Sequence, residues 1–216
     1  ELDNDRFPFI NVQLRIAPPY FYVLDGTVPI IYRGLISNWE AKTMGKGGQN
    51  FTHAEIINEG EIAVRSFTPR GQGTQLGKIT LNDSLAYVKS TEVLQKQIDG
   101  YFDVDGIMKC DAITRQLMYL YYYRNQFVIT DENLEVRKRG NTIDTNSIAK
   151  LKVSYNPKTG LRQMASPSAT VNRLLTISNN LAYINSTVPG KWEDTEMWQQ
   201  AGIIDVYNIT DNRYRS

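Results

Sequence analysis

The clearest hydrophobic and polar pattern lies in residues 115–144, RQLMYLYYYRNQFVITDENLEVRKRGNTID, of which the other units look like looser copies. From Arg115 to Tyr123 both parities are apolar, with Leu117, Tyr119, Tyr121 and Tyr123 on one and Met118, Leu120 and Tyr122 on the other. A short run of this kind predicts a strand covered on both faces. Two β-rich segments follow, Gln126–Thr130 and Leu134–Lys138, joined by the turn composition Asp131-Glu132-Asn133. The stretch reads as three antiparallel strands, inner to outer.

The rest of the chain repeats the theme more loosely. Ile10, Val12, Leu14 and Ile16 alternate with Asn11, Gln13 and Arg15, a half-buried strand that Pro18-Pro19 ends. Tyr20–Leu24 and Ile30–Arg33 flank the turn at 25–29, His53–Ile57 and Glu61–Phe67 flank the turn at 58–60, and Thr74–Leu81 follows a Pro-Gly tip. Ser84–Gln97 is the one segment before the C-terminal part where a short helix is expected, on Leu85, Val88, Leu94 and Ile98. Ile148–Ser154, Leu161–Ala165, Leu174–Ser178, Leu181–Asn185 and Ile203–Ile209 read as strands, and the excursion Ser186–Gln200 carries one helical turn.

Four hairpin cores align on Tyr22, Ala63, Val128 and Ala182, at spacings of 41, 65 and 54 residues. Degenerate units of that length, each with about four strands, are the signature of propeller blades. One such sheet cannot cover its own two faces, and radial stacking does so while leaving only short edges. The expected fold is an all-β, propeller-like array of about four antiparallel blades forming one domain over residues 1–216, with units near 1–50, 51–98, 99–146 and 147–216.

Charge narrows the partners. With 24 basic and 23 acidic residues the formal net charge is +1, so no field of one sign favours nucleic acid. No apolar run is long enough for a membrane-spanning helix. One cysteine, Cys110, allows no internal disulfide and no cysteine-based zinc site. The chain opens Glu1-Leu2-Asp3 without Met or a signal-like segment, which reads as a mature, trimmed or partial chain.

Chemistry-bearing motifs are sparse. Gly71–Gly77 has the glycines of a phosphate loop, but β-rich residues follow and no Lys-Ser/Thr does, so a hairpin tip is expected. Asp103-Val104-Asp105-Gly106 begins a calcium-loop pattern, yet position 114, where a bidentate Glu belongs, is Thr. A turn is favoured there, with a partial Ca²⁺ site at Asp103 and Asp105 the only cofactor left open. His53 is the lone histidine and reads as a strand-start residue at the surface. Ser66 and Ser84 lack the setting of a hydrolase nucleophile. Cys110 reads as a half-buried structural thiol. Asp131, Glu132, Glu135 and Asp144 are the carboxylates a glycosidase would need, although turn chemistry explains the first two. The tyrosines at 119–123 read as core. Trp39, Trp192 and Trp198, with Lys191 beside Trp192, are the candidate interaction surface. Asn50, Asn185 and Asn208 open N-glycosylation patterns that read as chance, and Asp83-Ser84-Leu85 resembles an O-glycosylation motif of exported Bacteroidota proteins.

The strings FYVLDGTVPIIYRG, QIDGYFDVDG, YYYRNQFVITDENLEVRKRGNTIDT and IIDVYNITDNRY together resemble a family of exported Bacteroidota proteins that look like TolB-type, six-bladed propellers, with RGNTIDT the most specific of them. The resemblance implies a propeller-like fold and an exported protein, periplasmic or associated with the outer membrane. It carries over no catalytic or ligand-binding residues. Relatives of that type are usually longer, so about four units here imply upstream blades or an unclosed ring. The expected function is non-enzymatic: a binding or scaffold subunit of a larger envelope assembly that docks a protein partner through loops on a propeller face. The alternative is a carbohydrate-binding or carbohydrate-cleaving module.

Overall fold

The computed structural model describes residues 1–216 apart from positions 5, 69–72, 83, 84, 161, 167, 190, 191 and 216 and the side chains of 195 and 199. It contains four four-stranded antiparallel sheets arranged as a four-bladed propeller. Blade 1 holds β1 (Val12–Ala17), β2 (Tyr20–Asp25), β3 (Ile30–Leu35) and β4 (Glu40–Lys46). Blade 2 holds β5 (His53–Asn58), β6 (Glu61–Phe67), β7 (Thr74–Thr80) and β8 (Ala86–Ser90). Blade 3 holds β9 (Gly106–Cys110), β10 (Leu117–Tyr121), β11 (Gln126–Thr130) and β12 (Val136–Asn141). A separate two-stranded hairpin, β13 (Val153–Tyr155) and β14 (Arg162–Met164), precedes blade 4. Blade 4 holds β15 (Asn172–Ser178), β16 (Leu181–Ser186), β17 (Ile204–Asn208) and β18 (Arg213–Tyr214), with one short helix, α1 (Thr195–Gln200), in the β16–β17 connection.

Every blade is a meander whose spatial order follows the chain. The first strands form the inner row: β1 packs along β5, β5 along β9, and β9 along β15. No comparable packing joins β15 to β1 among the described residues. Three apolar seams hold the array together. Tyr22, Leu24 and Ile31 of blade 1 meet Ala54, Ile62, Val64 and Ile79 of blade 2. Ile57, Ala63 and Leu76 meet Leu117, Tyr119, Tyr121 and Val128 of blade 3. Met118, Leu120, Phe127 and Ile129 on the reverse of blade 3 meet Leu175, Ile177, Ala182, Ile184 and Tyr207 of blade 4. The two-sided apolar run at 117–121 therefore serves two seams, and all five of its residues are buried.

Turn chemistry sets the register. Asn179 and Asn180 both take positive φ (51° and 63°) in the two-residue β15–β16 turn, the backbone that a hairpin of right-handed twist requires. Gly26 is needed for close approach: a Cβ there would lie 1.9 Å from the Phe51 carbonyl oxygen at the seam of blades 1 and 2.

Several expectations are corrected. Ser84–Gln97 holds strand β8 and irregular chain in place of a helix, with residues 83 and 84 outside the described residues. Sheet pairing prevails because Gly77 leaves room for the Tyr87 ring, whose hydroxyl bonds to Ser66 Oγ at 2.8 Å. The fourth strand of blade 3 starts at Val136, because Leu134 turns with φ 61° and the ladder bulges at Ile129/Thr130. Ile148–Ser154 gives only the start of the small hairpin. On β1 it is the polar parity that packs. Gln13 and Arg15 bond to Thr52, Ala54 and Glu55 of blade 2, while Val12, Leu14 and Ile16 stay exposed.

Candidate functional site

The deepest polar cluster lies between inner strands. Glu55 of β5 is 7% exposed, and its Oε1 receives Arg15 Nε at 3.3 Å, His53 Nε2 at 3.2 Å and Lys109 Nζ at 2.8 Å. Burial alone would push this carboxyl up, but hydrogen bonds from His53 and Lys109 and their charges hold it below the usual range. His53 also sits 3.0 Å from the Met108 carbonyl, so the lone histidine is half-buried between blades 2 and 3. Neighbouring Cys110 has its thiol pushed up to about 12, by burial first and then by Glu55 and Asp111, which keeps it protonated at neutral pH. Arg15, His53, Glu55 and Lys109 each bond to another blade, and together they act as an electrostatic clasp.

The aspartates of the calcium-like segment are committed in the same way. Asp103 is fully buried, and its two oxygens accept backbone N–H groups of Gln97, Ile98, Asp99 and Gly100. Asp105 pairs with Arg65. Among the described residues no group of three or more His, Cys, Asp or Glu is placed to hold a metal ion. Asp25 and Asp111 repeat the device, each joining its own turn to a distant segment: Asp25 to Ile10 and Asn11, Asp111 to Asn180. Of the glycosidase-type carboxylates, Asp131 and Glu135 share Arg137, and Glu132 pairs with Arg115. Asp144 lies elsewhere, on the cavity described next. The hairpin-tip reading of the glycine-rich loop agrees with Thr68 N–H donating to the Gly73 carbonyl and with β7 following, while Gly71 and Gln72 lie outside the described residues.

The cavity forms where the seam of blades 3 and 4 ends, and it encloses about 380 Å³. One wall is Ile143–Thr145, just past β12. The other comes from the end of β16 and the excursion after it: Ser186, Val188, Pro189, Glu193 and Trp198. Asp205 of β17 completes the lining. Asp194 shapes the excursion: it caps α1, its Oδ1 accepting the N–H groups of Glu196 (2.7 Å) and Met197 (3.1 Å). That turn sets the Trp198 ring on the cavity, with Nε1 donating to Glu193 Oε2 at 2.5 Å. Asp205 is 5% exposed and has no hydrogen-bond partner among the described residues. Burial first, and then the charge of Glu193, raises its carboxyl above the ordinary range.

The candidate aromatic residues do not form one surface. Trp198 lines the cavity, and Trp192, 89% exposed, stands on the same excursion. Lys191 lies outside the described residues. Trp39 belongs to the β3–β4 turn and packs on Phe21 with ring centroids 5.0 Å apart. That turn meets the β1–β2 turn (Ile36 N–H to Pro19 carbonyl, 3.0 Å), whereas a second-to-third strand connection leaves its blade from the opposite end. Tyr119 and Tyr121 are core, each 1% exposed.

Two residues escaped the sequence reading. Asp205 shares its parity with buried Tyr207 and Ile209, so the alternation in IIDVYNI did place a carboxyl on the covered face. Arg124, fully buried, lies over the Tyr121 ring at 3.7 Å and donates to the Gln95 carbonyl at 2.5 Å. Nothing in YYYRNQF marks it as interior.

No known family profile matches the chain, and no curated protein matches it in sequence. Among solved structures it is similar to dihydro-heme d1 dehydrogenase NirN, with TM-score 0.48 and 10% identity over 94% of this chain and 36% of that one. It is also similar to the β-propeller domain of the Trilobed protease from Pyrococcus furiosus, with TM-score 0.44 and 10% identity over 96% and 71% of the two chains. A Bacteroides fragilis protein provisionally described as exported gives TM-score 0.35 and 12% identity over 98% and 72%. The chain thus spans about a third of the NirN chain's length. The architecture stated above rests on sheet order and inter-blade packing. Among the described residues no helix is long and apolar enough to cross a membrane.

Proposed function

We propose that this chain is a non-enzymatic binding or scaffold module that docks a protein partner through the β16–β17 excursion. One observation carries the reading: Trp192, 89% exposed, lies on the excursion that lines a cavity with Trp198, directly before Glu193, one of the cavity's three carboxylates. A large exposed aromatic next to a recess is the usual anchor of an interface. A propeller suits the role because its rigid blades hold their connecting loops at two ends. The resemblance of RGNTIDT and its companion strings to exported TolB-type propellers supports an envelope-side partner. Capture from envelope extracts with the native chain, Trp192→Ser and Trp198→Ala tests this. A partner held by the native chain and lost by both variants, with their melting transitions intact, is the expected result. Equal capture by all three removes the excursion as the interface.

The alternative, a carbohydrate module, draws on the same cavity, where an indole ring meets Asp144, Glu193 and Asp205. A glycan array on the folded chain separates the two: a hit that Trp198→Ala abolishes favours the carbohydrate reading, and a blank array removes it.

A further inference from the structure

The same cavity says what chemistry it receives. We infer that it takes a cationic group, the guanidinium or ammonium of an arginine or lysine side chain, held between Asp205, Glu193 and the Trp198 ring. This rests on the binding reading above and names the anchor that the partner supplies.

Three observations point to a cation. The first is Asp205: a carboxyl 5% exposed, lining the cavity and without a hydrogen-bond partner among the described residues. The side chain is largely enclosed yet lines the cavity, so a charged donor entering there meets a carboxylate with few competing waters. The second is the balance of the lining. Asp144, Glu193 and Asp205 are carboxylates, and the described lining residues include no Lys, Arg or His. The Trp198 N–H already donates to Glu193, which leaves the hydroxyls of Thr145 and Ser186 as the lining's side-chain donors. A sugar needs donors and acceptors in mixture, whereas an acceptor-rich wall suits a ligand made of donors. The third is shape. About 380 Å³ falls at the small end of the roughly 300–1,000 Å³ range of ligand pockets, room for one long side chain. Trp198 supplies the aromatic face on which a guanidinium or ammonium gains cation–π attraction.

The test is calorimetric titration of the native chain with Nα-acetyl-arginine amide, Nα-acetyl-lysine amide, the neutral isostere Nα-acetyl-citrulline amide and methyl glucoside. The arginine or lysine probe is expected to bind with a Kd on the order of 1 mM, and citrulline and glucoside about tenfold or more weaker, because the bond to a charged donor is lost. Asp205→Asn and Glu193→Gln should each weaken the cationic probe about tenfold, with cooperative melting retained. Citrulline binding equal to arginine, a preference for glucoside, indifference to both substitutions, or no cation binding by the folded chain overturns the inference. Its failure and that of the docking reading are distinguishable. Cation binding that Asp205→Asn abolishes, beside partner capture that Trp192→Ser leaves unchanged, upholds the site and rejects the docking role. Capture that depends on Trp192 with no cation bound does the reverse.

Discussion

The second strand of blade 3 is apolar on both parities and the first strand of blade 1 on one, and their apolar residues end in opposite surroundings. In β10 one parity seals the seam with blade 2 and the other the seam with blade 4, so Met118 and Leu120 are fully buried. In β1 the apolar parity of Val12, Leu14 and Ile16 is 53–59% exposed, and the polar parity makes the inter-blade bonds. The free face of blade 1 is covered only farther out, where Phe7, Phe9 and Leu2 pack on Phe21, Ile30, Tyr32 and Ala41. Position in the array, more than strand composition, decides whether an apolar residue contributes to stability. Among the described residues a middle blade packs on a neighbour at each side, and blade 1 packs on blade 2 alone.

The largest effect expected from this difference is at Leu120. It is fully buried in the apolar seam between blades 3 and 4, and Leu120→Ala should cost about 2–5 kcal/mol, the range for a truncated core leucine. Denaturant unfolding at constant m-value checks it. A loss under about 1 kcal/mol would mean that the seam relaxes around the cavity and is not packed to interior density.

The polar clasp ranks next. Glu55→Gln leaves Arg15, Lys109 and His53 facing a neutral amide and should cost about 1–3 kcal/mol. The sign of the pH dependence follows from the lowered carboxyl. In the folded chain Glu55 holds its proton less tightly than in the unfolded chain. Its contribution is therefore present above the unfolded value of about 4.3 and fades as the pH falls through the folded value. The turn aspartates Asp25, Asp103 and Asp111, also lowered, act in the same direction. The native chain should lose stability below about pH 4, and Glu55→Gln should flatten that fall. A variant curve parallel to the native one at every pH would assign the acid transition to the aspartates alone.

How much of this was legible beforehand follows from where the causes lie. Blade meanders, the two-sided β10 and the turn at 131–133 are written in local alternation and turn residues, and sequence reading found them. The order of blades around the axis is a long-range matter. No single strand states which parity meets a neighbour, so the alternation in β1 predicts a half-buried strand without the reversal that Gln13 and Arg15 impose. Ser84–Gln97 misled for a similar reason: its weak helical spacing is overridden by pairing with β7 and by the slot at Gly77. The cavity was legible in pieces only. Trp198 stands out by its type and Asp144 by its charge, but their partnership with Asp205 comes from apposition of blade 3's exit with the β16–β17 excursion and β17, some 60 residues on.

Asp205 should shift stability upward. Its folded carboxyl is raised by burial and by Glu193; Asp144, Tyr207 and Tyr214 are the other titratable groups near it. A raised acid contributes stability that is present below the unfolded value of about 3.9 and lost as the pH rises through the folded value. At pH 7 the carboxylate is a cost, and Asp205→Asn should gain about 0.5–2 kcal/mol, as relief of a strained binding position does. The gain should vanish near pH 3. A variant less stable than the native chain at pH 7 would show that the carboxylate is already satisfied in solution.

The smallest effect is expected at the other pole of the comparison. Leu14 is 54% exposed on the free face of blade 1, so Leu14→Thr changes a side chain that folding leaves about half in water. Threonine, branched at Cβ as leucine is not, suits a pleated surface. The change should therefore stay within about 0.5 kcal/mol, the range of ordinary surface substitutions. Measured beside Leu120→Ala under one set of conditions, the pair turns the contrast between a sealed and an open blade face into a single ratio. A loss at Leu14 above about 1 kcal/mol, beyond the range of a half-exposed surface site, would mean that the stripe from Ile10 to Ile16 is covered in solution and that blade 1 is sealed on both sides as blade 3 is.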